Sequence, residues 1–77
     1  MNIEAKGGSA SMEIVVNGER RTVGEALTLQ ELVREMGFLE KPVVCEVNLS
    51  IVSRKDWAET VLSPEDTVEV IGFVGGG

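Results

Sequence analysis

Seventy-seven residues, 43% of them apolar and 26% charged, allow one small domain, and a domain of this size buries only ~60% of its unfolded surface, too little for an elaborate catalytic cleft. Thirteen acidic against seven basic residues give a net charge of −6, which argues against nucleic acid, whose phosphates call for clustered Lys and Arg, and favours a basic protein surface as partner. With no histidine and the single cysteine Cys45, a disulfide framework, most metal sites and His-based acid–base or nucleophilic machinery are excluded; no apolar run nears the ~20 residues of a membrane span, and without a secretory signal the expected location is cytoplasmic.

The opening "MNIEAKGGSAS" mixes Gly, Ser, Ala and charge, so residues 1–11 read as a disordered extension and the domain starts at Met12. In "MEIVVNGER" Ile14 and Val16 alternate with Glu13, Val15 and Asn17. Asn17-Gly18 is the pair that accepts positive φ at both centres of a type I′ turn. A hairpin follows, with residues 20–24 as its returning strand. Next, "TLQELVREMGF" carries a capping box, Thr28 with Glu31 three residues on, and Gly37 sits where a helix end wants left-handed backbone. Leu29, Leu32, Val33 and Met36 form one apolar stripe at helical spacing.

Pro42 blocks helix continuation, and the β-branched "VVCEVN" at residues 43–48 predicts a strand. A turn at residues 48–50 leads to a small strand around Ile51 and Val52. The stretch "RKDWAETVL" predicts an irregular or single-turn crossover with Trp57 and Leu62 facing inward, and Ser63-Pro64-Glu65-Asp66 predicts a turn. A last strand covers residues 67–74 and runs into three glycines. The order β-β-α-β-β-β, one helix on a mixed sheet, is the α+β, ubiquitin-like β-grasp arrangement, in which first and last strands pair centrally. The chain then divides into residues 12–74 as the domain and 75–77 as a flexible tail.

Few side chains are candidates for chemistry. Cys45 alternates with Val43 and Val47 on the expected core face and reads as a small buried hydrophobe, with no histidine to activate it. The carboxylates, Glu40, Glu46, Glu59 and Asp66 among them, are scattered as surface charge is. On the last strand Ile71 and Phe73 share the face opposite Val68 and Val70. They are therefore expected on the open side of the sheet near the tail, beside Val15, as a partner-docking patch. The glycines have an alternative to simple fraying: slim backbone threads a narrow channel and carries the Gly77 carboxylate to another protein's active site.

Residues 12–77 resemble the ThiS family of sulfur carrier proteins of thiamine biosynthesis. The resemblance lies in the "NG" hairpin, the helix "TLQELVREMG", the block "VNLSIVSRKDW" and the closing "DTVEVIGFVGGG". It implies a protein cosubstrate with no catalytic residues and no bound cofactor, monomeric when free. A ThiF-type adenylating enzyme would use ATP to activate Gly77, and a cysteine persulfide on another protein would supply sulfur. A ThiG-type thiazole synthase would accept that sulfur from the Gly77 thiocarboxylate, with Gly75 and Gly76 giving the tail its reach. A MoaD-type carrier of molybdopterin synthesis would use the same tail chemistry, but that family favours a Pro-rich approach to the glycines where this chain has Ile71-Gly72-Phe73-Val74. A protein-modifying tag, or a β-grasp binding module with an incidental tail, are the other readings.

Overall fold

In the computed structural model, which describes residues 10–72, Asn17 and Gly18 have φ of 51° and 85°. They close a hairpin between β1 (Ser11–Val16) and β2 (Glu19–Gly24), in register from Val16 opposite Glu19 to Ser11 opposite Gly24. The expected domain start at Met12 is corrected here. Ser11 lies in the strand, and the Ala10 carbonyl accepts a hydrogen bond from the Glu25 amide at 3.3 Å. Strand pairing uses backbone groups, so the small polar side chains that suggested an extension do not prevent it. The rest of that segment, residues 1–9, lies outside the described residues.

The helix α1 (Leu29–Glu35) starts as its capping box requires. The Thr28 hydroxyl accepts from the Glu31 amide at 3.1 Å, and the Glu31 carboxylate accepts from the Thr28 amide at 2.9 Å. Each bond satisfies a backbone donor that has no partner within the helix. Gly37, at φ 84°, ends it. Leu29, Leu32 and Val33 are buried, and Met36 packs against the same core.

β3 (Val43–Val47) and β4 (Ser50–Val52) form a second two-residue hairpin through Asn48 and Leu49, both at positive φ. β5 (Thr67–Gly72) completes a five-stranded sheet of order β2-β1-β5-β3-β4, in which β1 and β5 run parallel and the other pairs antiparallel. The sheet is the β-grasp expected from the element order. Residues 73 and 74, assigned to the last strand from sequence, are outside the described residues.

The crossover is more regular than its sequence suggests. Residues Arg54–Glu59 form a 3₁₀ helix that buries Trp57, whose indole N–H donates to the Val52 carbonyl at 3.0 Å. Arg54 stacks 4.3 Å from the Trp57 ring centroid and donates to the Leu39 and Lys41 carbonyls at 2.8 and 2.7 Å. One guanidinium thereby ties the crossover to the loop that precedes β3. Met12, Ile14, Val16, Leu29, Leu32, Val33, Cys45, Trp57, Leu62, Val68 and Val70 belong to one core cluster between the helix and one sheet face.

Candidate functional site

The expected reactive segment follows β5 in the sequence, so whatever fixes β5 fixes the point, Gly72, from which that segment starts. Two asparagines do so from opposite ends. The Asn48 side-chain oxygen accepts from the Thr67 amide at 2.9 Å, and that of Asn17 accepts from the Val70 amide at 2.8 Å. Each asparagine occupies the first left-handed position of a hairpin turn, a conformation it tolerates better than most residues. Each therefore serves as turn former and as clamp on the central strand. The turn role is legible at Asn17-Gly18. The clamps are not, since their partners lie 19 and 53 residues away.

Phe73, Gly75, Gly76 and Gly77 lie outside the described residues, which leaves Ile71 and Val15 of the expected docking patch. Ile71 is 44% exposed on the open face, as its alternation with Val70 requires. The expected neighbourhood of the two is corrected. Val15 is level with Thr67, whereas Ile71 is opposite Val44 of β3. Four residues of extended strand separate the two levels, about 13 Å. Alternation alone specifies a face and leaves position along the strand to the register.

Between those levels the open face is acidic. Glu46 and Glu69 are directly opposite each other on β3 and β5, with the 70%-exposed Ile51 of β4 across from Glu46. Like charges in directly opposed positions destabilise a sheet, and among the described residues neither carboxylate has a salt-bridge partner. Arg20, on the same face, is engaged elsewhere, at 2.8 Å from Glu13 and 3.1 Å from Glu65. Its hydrogen bond to Glu65, with the charges of both carboxylates, raises its pKa. The face thus presents the Val44–Ile71 pair and Ile51 beside negative charge, which suits a basic protein surface.

A groove of about 410 Å³ flanks Gly72 on the other side of the strand end, lined by Phe38, Lys41, Pro42, Val43, Val70 and Gly72 together with Asn17. Sequence reading did not single out Phe38 or Lys41. Both belong to the loop tied down by Arg54, and that long-range tie leaves no local signature.

Cys45 is fully buried, opposite Val52 and Val70 on the core face, and burial pushes its thiol from 9.0 up to about 11. The raised value favours the protonated thiol in the folded state. Its contribution is therefore fully present below pH ~9 and lost as pH rises towards ~11. Replacement by Val should flatten that part of the stability–pH curve in urea titrations between pH 8 and 11; an unaltered slope would contradict a buried thiol. Among the described residues no group of three or more His, Cys, Asp or Glu could hold a metal ion, and no helix is long and apolar enough to cross a membrane.

Comparison with known proteins adds a second line of observation. The ThiS family model matches residues 11–77. A thiazole synthase of Paramagnetospirillum magneticum is 35% identical over 66 residues, covering 86% of this chain and 20% of that protein, so the chain spans about a fifth of that relative's length. The sulfur carrier protein ThiS of Bacillus subtilis is 34% identical over 50 residues, 65% of this chain and 76% of its own. The crystal structure of the thiamine biosynthesis protein ThiS from Geobacter metallireducens superposes with a TM-score of 0.73 at 32% identity, covering 86% of this chain and all of that one.

Proposed function

This chain belongs to the ThiS family, and from that premise we propose that it is a sulfur carrier of thiamine biosynthesis whose working group is the Gly77 α-carboxylate. The observation that carries the reading is the extent of the family match, which runs from β1 through the closing glycines to residue 77. Similarity both to a sulfur carrier protein and to part of a thiazole synthase supports the pathway.

A carboxylate at neutral pH is a poor electrophile, so sulfur transfer to it needs activation. One Gly77 oxygen attacks the α-phosphorus of ATP in a ThiF-type enzyme, pyrophosphate leaves, and an acyl-adenylate forms. The terminal sulfur of a cysteine persulfide then attacks the carboxyl carbon and expels AMP. A thiol cleaves the resulting S–S bond, leaving a thiocarboxylate on Gly77 and a disulfide between the donor cysteine and that thiol. A ThiG-type thiazole synthase is the acceptor. Gly75 and Gly76 have no side chains to obstruct a narrow channel, and the carrier is a cosubstrate of these enzymes. Ile71, Phe73 and Val15 remain the proposed docking residues, with Ile71 and Val15 at separate levels of the open face.

The test is intact-mass measurement of the full chain after incubation with its adenylating enzyme, ATP and a persulfide donor. A gain equal to one oxygen replaced by sulfur, localised to Gly77 by fragmentation, is expected. Its absence with an enzyme active on another carrier would sink the reading.

A further inference from the structure

The groove beside Gly72 has a feature that the fold does not explain. Gly72 is not at positive φ, and a Cβ built there would meet nothing closer than a Val43 methyl at 3.8 Å, an ordinary contact. Glycine in a strand sacrifices conformational entropy and packing, so the backbone gains nothing from glycine at this position. The missing side chain instead leaves open the floor of the groove, between Val43 and Val70. Arg54 holds the loop that supplies Phe38 and Lys41 through the Leu39 and Lys41 carbonyls. The backbone that carries the walls is therefore held before anything binds, which lowers the ordering entropy lost on association. Lys41 adds a cation at the rim, with no salt-bridge partner among the described residues.

We propose that this groove receives an apolar side chain flanked by a carboxylate on the enzyme that activates Gly77. The inference rests on the carrier reading above. Gly77 is five residues beyond Gly72, and five extended residues reach at most about 18 Å. An enzyme that closes its active site on Gly77 therefore comes within that distance of the groove. The apolar lining selects an apolar side chain and Lys41 selects an acidic neighbour, and the activating enzyme is the first partner that must close on the Gly77 carboxylate.

Gly72→Val fills the groove and Lys41→Glu reverses its rim. Both leave the Arg54 contacts intact, since these are to main-chain carbonyls. Titration calorimetry against the ThiF-type enzyme should show Kd raised about tenfold by each variant, a range typical of a filled or charge-reversed contact. The Lys41→Glu effect should shrink as salt is raised, because exposed charges are screened. In loading assays KM should rise with kcat preserved, and the thermal midpoint of Gly72→Val should stay at or above wild type, valine being the better strand residue. Wild-type Kd and KM in both variants, with Gly77 loaded normally, would overturn the groove and leave the carrier reading standing. Weakened binding confined to thiazole synthase, or to a second copy of the chain, would overturn the assigned occupant. A wild-type chain that acquires no thiocarboxylate fails one step earlier and removes both.

Discussion

Appending one alanine after Gly77 is expected to abolish sulfur loading while leaving folding intact. Adenylation needs an ionised carboxylate oxygen as nucleophile towards the α-phosphorus of ATP. The extension turns the Gly77 carboxyl into an amide carbonyl and moves the carboxylate one residue farther, onto a carbon with a methyl group. The misplacement is about 3.5 Å along an extended chain, in a reaction where an error of about 1 Å can reduce rate on the order of a hundredfold. The stability of the domain should not respond, because the last described strand pairing, Gly72 with Val43, is five residues upstream. Mass spectrometry should detect no sulfur-for-oxygen exchange, and calorimetry should find the partner enzyme still bound within a few-fold of wild type. Full loading of the extended chain would eliminate Gly77 as the working group. The experiment also separates a carrier from a binding module with an incidental tail, since the module would retain its function.

The largest effect on stability is expected at Trp57, the largest of the fully buried side chains at 1% exposure. Trp57→Ala should lose about 3–5 kcal/mol, the usual range for a large aromatic truncated in a core. A domain this small has a stability near the lower end of ~5–15 kcal/mol, so about 0–2 kcal/mol should remain and between a few per cent and roughly half of the population should be unfolded at room temperature. Three features of this site go together: the indole hydrogen bond to Val52, the stacking of Arg54, and the packing of the 3₁₀ helix on the core. Urea unfolding should be followed by far-UV circular dichroism, because Trp57 is the sole tryptophan and its fluorescence disappears with it. Trp57→Phe keeps most of the ring and should lose much less. A midpoint for Trp57→Ala close to wild type would show that the crossover contributes little to the core.

The parts of the fold that were legible are those whose physics is local. Thr28 and Glu31 meet across one helical turn and Asn17-Gly18 is its own hairpin, so no distant residue is needed to read either. The alternation on β5 likewise assigns Val70 to the core and Ile71 to the open side. The expected patch of Ile71 with Val15 went astray where local information stops. Which residues stand level on neighbouring strands depends on a pairing between segments some 50 residues apart, here Val15 with Thr67. The start of β1 was missed for a related reason, because Ser11 joins the sheet through its pairing with Gly24.

Taken alone, the residue order determines the composition limits, the β-grasp element order, the inward faces and a family resemblance that directs attention to Gly77. Turn geometry, capping and side-chain periodicity act within a few residues, so they are written in adjacent letters. Only the tertiary structure decided the opposed Glu46 and Glu69, the two asparagine clamps on β5, and the Arg54 tie that sets Phe38 and Lys41 beside Gly72. Each joins residues distant in sequence, and what selects it is the closing of one core, in which both sheet register and the seating of Trp57 must be satisfied together.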